Sequence, residues 1–134
     1  MTKTLTLYLN FVSICTIFFS VRRRKTLIKL AGIQISCCEE KERNIEKAVK
    51  FIHIAIEKGA NLICFQELFT TQWFPREMNK HYFSLAEKMN GITITRMQKL
   101  AEEYEVVLIC PIFEIDEDSF YNSAIVIDAG GEIL

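Results

Sequence analysis

The sequence lacks the paired cysteine spacings that are typical of zinc sites and disulfide frameworks. Its five cysteines are an odd number, and none of them belongs to a CxxC pair. Neither a metal site nor a disulfide-stapled fold is therefore indicated. Cys15 belongs to an N-terminal apolar run, whereas Cys64 and Cys110 lie in later ones and are expected to be buried as small hydrophobic side chains in a reducing compartment. The adjacent Cys37 and Cys38 are predicted to lie in a loop, where no neighbour marks either thiol as activated.

Acidic side chains are absent from the first 29 residues, which carry six basic ones. The whole chain of 134 residues has 16 basic and 17 acidic groups for a net charge of −1, so residues 30–134 hold 10 basic and 17 acidic groups, a net −7. An acidic body offers no basic surface for a phosphate backbone, and we expect no nucleic-acid partner. With 50% hydrophobic and 25% charged residues, the chain is predicted to be globular and not disordered.

The uncharged run at residues 5–21 (LTLYLNFVSICTIFFSV) is short for a membrane span. As a helix its 17 residues would reach about 25 Å, against about 30 Å for a bilayer core. Positive charges follow the run, which does not fit a secretory signal. Residues 1–26 are then either a single membrane anchor that leaves the rest in the cytoplasm, or an extension outside any membrane, including sequence read through from an early start codon. We favour the extension and predict a cytoplasmic protein.

From residue 27 onward, apolar runs alternate with helical periodicity. Residues 27–35 (LIKLAGIQI) and 61–65 (NLICF) are predicted to be buried strands. Between them, an apolar stripe at helical spacing predicts an amphipathic helix that stops at Gly59. Strand, helix and strand in about 40 residues favour a βαβ unit and an α/β fold. The stripe consists of Ile45, Ala48, Val49, Ile52, Ala55 and Ile56.

A second helix and two more strands are predicted downstream. The helix is marked by apolar residues up to Tyr104, and Thr95 with Gln98 three residues on indicates its start. Strand 106–113 contains Pro111, which suggests an edge or a bulge. An acidic loop at residues 114–119 then leads into strand 121–128.

The last seven residues predict a hairpin turn and only the first residues of its second strand. Residues 128–131 (DAGG) are a turn signal, and residues 132–134 start the next strand. Three residues are too few to pair across the preceding strand. We therefore expect the sequence to be the N-terminal part of a longer domain.

Gln66 and Glu67 directly follow the predicted strand 61–65. The carboxyl ends of strands in α/β sheets open toward a crevice, and a carboxylate there can act as a general base. From the residues alone, a capping or hydrogen-bonded structural Glu is the commoner outcome.

Four linked stretches resemble the nitrilase, or carbon-nitrogen hydrolase, superfamily. They are IKLAGIQIS (28–36), NIEKAVKFIHIAIEKGANLICFQELF (44–69), TTQWFPREMNKHYFSLAE (70–87) and PIFEIDEDSFYNSAIVIDAGGEIL (111–134). The combination of QELF, an aromatic pair and YFSLAE is most similar to N-carbamoylputrescine amidohydrolases and β-ureidopropionases. The resemblance implies an αββα sandwich, here cut before the second half of its sheets, with residues 27–134 as the N-terminal part of the hydrolase domain.

The resemblance also implies a Glu-Lys-Cys triad that hydrolyses non-peptide C–N bonds without a cofactor, for instance N-carbamoylputrescine to putrescine, CO2 and NH3. Glu67 matches the general base of the triad. Trp73 matches an aromatic residue near the substrate, and an aromatic that only packs in the core is the alternative interpretation. The family's Lys and nucleophilic Cys match nothing in this sequence, so we expect the chain alone to be inactive on its small amide or carbamoyl substrate. The full-length relatives are expected to be homo-oligomers. The competing hypothesis is a non-catalytic remnant or interaction subunit with exposed sheet faces.

Five further polar or aromatic residues are less clearly functional. Glu114 and the Tyr121-Asn122 pair match family positions near the active site, but a solvated loop acid and a strand-end hydrogen-bonding Asn are the favoured interpretations. His53 and His81 have no acid or Cys at metal spacing and are interpreted as boundary residues, so no metal ligand is predicted.

Overall fold

The computed structural model describes residues 4–10, 14–23, 26–77 and 79–134, with side chains from residue 28 onward. The described residues form six strands, two α-helices and one 3-10 helix, Lys80–Leu85. The strands are β1 (Thr4–Asn10), β2 (Ile14–Arg23), β3 (Thr26–Gln34), β4 (Leu62–Phe65), β5 (Val107–Asp116) and β6 (Ser119–Ile127). The helices are α1 (Lys41–Glu57) and α2 (Ile92–Tyr104).

All six strands belong to one sheet in the order β1-β2-β3-β4-β5-β6. Strands β3, β4 and β5 are parallel, with Leu30 opposite Leu62 and Leu62 opposite Val107. Helix α1 connects β3 to β4, and α2 lies between β4 and β5, so the predicted βαβ pattern and α/β fold are confirmed. Strand β6 returns antiparallel to β5.

Alternate residues of the strands pack with the helices in a single core. We call this side of the sheet the helix face; its fully or nearly fully buried members are Ala31, Ile33, Ile63, Phe65, Leu108, Cys110, Ile112, Ile125 and Ile127. The opposite side, the outer face, is only half-buried, and it includes Leu62, Cys64, Val107, Ile109, Pro111 and Val126. Burial of Cys110 agrees with the sequence prediction, whereas Cys64 lies half-exposed on the outer face, contrary to it.

Helix α1 forms as the apolar stripe predicts. Ile45, Ala48, Ile52 and Ala55 are buried in the core, and each fully buried isoleucine contributes about 1.5–3 kcal/mol relative to an exposed one. The helix ends where expected, because Gly59 adopts φ 79°, a left-handed conformation that glycine accepts without a steric penalty.

Helix α2 begins at Ile92, four residues earlier than the capping-box pattern predicts, because Gly91 and not Thr95 is the N-cap residue. Its start is stabilised from outside, since Glu87 accepts hydrogen bonds from the backbone N–H of Thr93 (3.1 Å) and from its hydroxyl (2.6 Å). The two residues of the predicted capping box make other hydrogen bonds. The Thr95 hydroxyl donates to Asn90 O, and the Gln98 amide donates to Gly131 O.

Strand β5 meets one of the two alternatives predicted at Pro111, a local strand edge, and differs from its prediction at its end. Pro111 makes no bulge, because it stays in register with Ala124. Pairing with β4 stops at Ile109, so the missing N–H of Pro111 points to a side where no strand follows. The strand also runs on to Asp116, which makes the prediction of a solvated loop at Glu114 wrong: that side chain is buried, at 9% exposure.

The predicted turn at residues 128–131 is confirmed. Asp128 and Gly131 close it with backbone hydrogen bonds, Gly131 N to Asp128 O (3.0 Å) and Asp128 N to Glu132 O (2.8 Å). The three residues after it do begin to pair, contrary to expectation, because Leu134 N donates to Val126 O at 2.9 Å.

The N-terminal run is not helical where the structure describes it. Its backbone forms β1 and β2, and β2 pairs antiparallel along β3 from Cys15 opposite Gln34 to Arg23 opposite Thr26. Among the described residues, no helix has the length and apolar character needed to cross a membrane. Residues 1–3, 11–13, 24 and 25 of the predicted extension lie outside the described residues.

Candidate active site

The candidate general base, Glu67, lies just past the carboxyl end of β4, where the sequence predicts a crevice. Strand β4 is short and lies between two parallel neighbours, so its end opens between the ends of β3 and β5. The Glu67 side chain is exposed there, while Leu68 and Phe69 after it are buried. The chain thus presents a carboxylate at the rim of the sheet and anchors it from the core.

Gln66 fixes the backbone immediately before Glu67. Its N–H donates to Ile33 O at 3.0 Å. Its side-chain amide then accepts from Ile35 N (2.7 Å) and donates to Ile35 O (2.5 Å), as a further strand residue would. Gln66 therefore extends the β3–β4 pairing by one step, a positioning role that sequence reasoning did not foresee.

Leu68 holds the backbone on the other side of Glu67. Its φ is 54°, a left-handed conformation that costs a non-glycine residue about 1–2 kcal/mol. Burial of the Leu68 side chain to 4% exposure offsets that cost. A turn begins at Leu68 and is closed by the Thr71 N–H to Leu68 O hydrogen bond of 3.1 Å, so a buried residue directly follows the exposed carboxylate of Glu67.

Asn122, a residue of β6, contacts the carboxylate of Glu67. The Asn122 amide Nδ2 donates a hydrogen bond to Glu67 Oε1, across 55 positions of sequence. The residue lies inside β6, opposite Phe113, and not at a strand end as predicted. In the part of the chain that the structure describes, no hydrogen bond reaches the second oxygen of Glu67, so one carboxylate oxygen is oriented and the other can exchange a proton.

Glu67 and Trp73 line the same cleft, which has a volume of about 700 Å³. The indole of Trp73 is 54% exposed and lies on the segment that follows the buried turn. The sequence therefore predicted two residues that the fold does bring to one cavity. The other lining residues are Gln34, Ile35, Ser36, Cys37, Gln66, Leu68, Thr71, Gln72, Arg76 and Glu77.

Cys37 contributes the thiol of this cleft. Its Sγ donates to Phe69 O at 3.0 Å. Burial raises the pKa of Cys37, the Lys47 ammonium lowers it in part, and the neighbouring Cys38 raises it further. Burial also raises the pKa of Cys64 and, well beyond its ordinary range, that of Cys110. These three thiols are therefore held in the protonated, weakly nucleophilic form at neutral pH.

The remaining candidates lie away from the cleft lining. Glu114 accepts a hydrogen bond from Ser123 on the helix face. His53 packs edge-on against Tyr104, with ring centroids 5.1 Å apart, and His81 neighbours Tyr82 in the 3-10 helix. No group of three or more metal-ligating side chains occurs among the described residues.

Known proteins are similar to this chain over most of its length. Residues 29–134 match the family described as carbon-nitrogen hydrolase. An N-carbamoylputrescine amidase of Oryza sativa subsp. japonica is 38% identical over 108 residues, which are 80% of this chain and 36% of that protein. A citrullinase of Francisella tularensis is 35% identical over 80% of the chain and 38% of its own length.

Solved structures show the same fold. The carbon-nitrogen hydrolase from Helicobacter pylori G27 superposes with a TM-score of 0.73 at 28% identity, over 79% of this chain and 37% of that one. An N-terminal amidase, at 18% identity and a TM-score of 0.69, supports the fold alone. The chain spans a little over a third of the length of the curated relatives it matches. The predicted resemblance to nitrilase-type hydrolases and to N-carbamoylputrescine amidases is confirmed.

Proposed function

Because this chain belongs to the carbon-nitrogen hydrolase family, we propose that it supplies the general-base part of a site that hydrolyses a small N-carbamoyl compound, with N-carbamoylputrescine as the substrate. The observation that carries the proposal is the hydrogen bond between Asn122 and Glu67 in the cleft that also holds Trp73. It gives the carboxylate a fixed direction next to a cavity of substrate size.

Glu67 would act first as a base and then as an acid. It would take the proton of the attacking thiol and return it to the departing ammonia, and later it would activate the water that cleaves the thioester. Binding one oxygen to Asn122 leaves the second oxygen to carry the proton. The residues before and after Glu67 restrict its backbone. The carboxylate is therefore already oriented before the reaction, which lowers the entropic cost of reaching the transition state.

The thiols of the chain do not suit the nucleophilic step. Cys37 is the one described thiol that lines the cleft, and its S–H already donates to Phe69 O. Burial keeps it protonated, and no residue of this sequence matches the family's lysine for the oxyanion. We therefore propose that this chain by itself does not hydrolyse the substrate and that its carboxylate acts together with a lysine and a cysteine from other polypeptide.

A chimera tests the role of Glu67. Residues 29–134 would replace the matching third of the Oryza amidase, and release of ammonia from N-carbamoylputrescine would be measured. We expect activity in the chimera, none in the chain alone, and a loss of at least about 10³-fold for Glu67→Gln, since both proton transfers fail.

Matched variants distinguish catalysis from folding. Glu77→Gln changes an acid of the same cleft that accepts a hydrogen bond from Tyr82, and it should leave kcat within about threefold. Asn122→Ala should lower kcat by about 10-fold to 100-fold, because the carboxylate loses its orientation. A folded chimera that stays active with Glu67→Gln would refute the assignment.

A second candidate is a non-catalytic interaction subunit, favoured by the half-exposed outer face. Ile28 and Phe120 border that face at 43% and 38% exposure, and exposed apolar sheet surface promotes association. We propose that the chain forms oligomers through it. Sedimentation of the full chain should show a concentration-dependent increase in mass that Ile109→Lys reduces. A monodisperse monomer would exclude this role.

A further inference from the structure

The two edges of the sheet are protected to different degrees. Strand β6 forms one edge, and the chain covers part of it, since Leu134 N donates to Val126 O at 2.9 Å and Ile133 bridges to Ile127. Residues 116–118, just before β6, are all acidic, and charge at an edge discourages pairing with other strands. Strand β1 forms the other edge, and no strand among the described residues pairs with its outward side.

Strand β1 has none of the features that usually protect an edge. Its seven residues, Thr4–Asn10, include no charged residue, proline or glycine. Its pairing with β2 is continuous from Thr4 opposite Ser20 to Asn10 opposite Ile14, so the strand has no bulge. Because the N–H and C=O groups of an antiparallel strand turn alternately to its two sides, about half of the residues of β1 present these groups outward. The edge is therefore a template for one more strand.

The sequence of β1 is complementary to a second copy of itself. Leu5, Leu7 and Leu9 alternate along the strand and share one face. Leu7 pairs with Ile17, which pairs with Gly32, so this face is continuous with the outer face of the sheet. In an antiparallel pair centred on Leu7, each Leu5 lies opposite the Leu9 of the second copy, and the two Leu7 residues lie opposite each other. Apolar pairs of this kind stabilise neighbouring strands.

The charges near β1 favour this antiparallel arrangement over a parallel one. Arg22 and Arg23 lie at the end of β2 that extends past Thr4, whereas residues 8–16, at the other end of the hairpin, are uncharged. An antiparallel pair places the basic end of one copy beside the uncharged end of the other. The two basic ends are then about 20 Å apart, beyond the distance of about 8 Å over which exposed charges interact at physiological salt. A parallel pair would bring the basic ends together.

We propose that two copies of this chain associate edge to edge through β1, antiparallel around a two-fold axis at Leu7. The contact uses the same edge of both copies, so it closes with a dimer, whose continuous sheet takes six strands from each copy. A contact of one short strand is weak, and the dimer therefore forms and dissociates with concentration. This contact uses the edge, whereas the interaction role proposed above uses the outer face, so neither depends on the other.

The experiment uses the full chain with Ile109→Lys, which suppresses association through the outer face. Sedimentation equilibrium from about 1 µM to about 1 mM covers the range expected of a short interface, and we expect monomer and dimer without larger species. Leu7→Lys places two positive charges opposite each other and should raise the dissociation constant at least about 10-fold. The matched control is Ala124→Lys, which adds the same charge at an exposed position of β6 and should change that constant by less than about twofold.

Engineered cysteines test the register, and they keep the proposal testable if Leu7→Lys disturbs the fold. Residues that lie opposite each other in antiparallel strands have Cα atoms about 4.5–5.5 Å apart, which suits a disulfide. Under mild oxidation, Leu7→Cys should form an intermolecular disulfide between the two substituted positions, as located by peptide mapping. Leu5→Cys should form little by itself, and it should form one when it is mixed with Leu9→Cys.

Several outcomes would overturn the proposal. A monomer over the whole concentration range, or a dimer that Leu7→Lys and Ala124→Lys weaken equally, would refute the edge contact. Species that grow beyond the dimer would indicate pairing of β1 with β6 of the next copy and would refute the two-fold arrangement. A disulfide in Leu5→Cys alone as abundant as that in Leu7→Cys would refute the register. Because the chimera lacks β1, an inactive chimera would count against the proposed function and not against this dimer.

Discussion

The helix face and the outer face of the sheet differ in how completely the chain itself covers them. On the helix face, Ile63, Leu108 and Ile112 are fully buried against α1 and α2. On the outer face, Leu62, Val107 and Ile109 occupy neighbouring positions of the same strands and remain half-exposed. The same apolar residue types thus stabilise the fold on one side and leave surface open to a partner on the other.

The difference explains why a chain with a little over a third of its relatives' length forms an ordered core. The two crossover helices cover one side of β3, β4 and β5, which is enough to bury one layer of side chains. The cleft lies at the boundary between the two faces: Asn122 is on the outer face, and Leu68 is anchored in the core. The packing on the helix face therefore fixes the position of the candidate site, and the half-exposed outer face leaves the site accessible to a substrate.

The largest effect is expected when the two faces are compared within one strand. Ile112→Ala removes a fully buried side chain on the helix face of β5 and should lower the free energy of unfolding by about 2–5 kcal/mol. Ile109→Ala removes the same atoms from the outer face and should cost about 1 kcal/mol. Urea unfolding followed by circular dichroism measures both. Equal losses would mean that the outer face is covered in solution, by another copy of the chain.

A smaller effect is expected at the acid that joins the two helices. Glu87 accepts from Thr93 and pairs with Lys41 at 3.4 Å, and its side chain is 9% exposed. Glu87→Gln places an amide N–H against one of these donors and should cost about 1–3 kcal/mol.

The matched control for Glu87 is an exposed acid that also has a basic partner. Glu40 pairs with Arg43 at 3.2 Å, with both side chains more than two-thirds exposed. Glu40→Gln should therefore change the stability by less than about 0.5 kcal/mol. If both variants unfold at the urea concentration of the parent chain, Glu87 does not stabilise the start of α2.

Periodicity and composition predicted the elements of the helix face because those signals are local. The stripe of α1 and its stop at Gly59 need only the order of residues, and both are confirmed. The start of α2 could not be predicted in that way, since its cap comes from Glu87, a residue that also pairs through its backbone with β5. The extension of β5 through Glu114 was missed for a similar reason: an acidic stretch resembles a loop until Ser123 provides its partner.

The candidate site was predictable in its residues and not in its geometry. Glu67 and Trp73 stand out through position and resemblance, and both line the cleft. The amide of Asn122 reaches Glu67 only because β6 pairs with β5 in one particular register. The pairing of Gln66 with Ile35 likewise depends on β3 and β4 being neighbours. No local pattern carries such long-range contacts.

The smallest expected effects come from two residues with left-handed backbone, one at the cleft and one at the end of a helix. Leu68 has φ 54° with its side chain buried, and Glu105, which ends α2, has φ 51° with its side chain exposed. Glycine relieves about 1–2 kcal/mol of strain at either position and costs about 0.5–1 kcal/mol of extra chain entropy. Glu105→Gly should therefore raise the free energy of unfolding by about 0.5 kcal/mol.

Leu68→Gly gains the same relief but loses a buried leucine worth about 1.5–3 kcal/mol, so its net effect should be a loss of about 1–2.5 kcal/mol. In urea unfolding, Glu105→Gly is thus expected to raise the free energy of unfolding and Leu68→Gly to lower it, although the two residues have similar φ angles. If Leu68→Gly also stabilises the chain, the core does not anchor the turn after Glu67. The direction of the carboxylate would then depend on Gln66 and Asn122, and Asn122→Ala should lower the activity of the chimera toward the upper end of the expected 10-fold to 100-fold range.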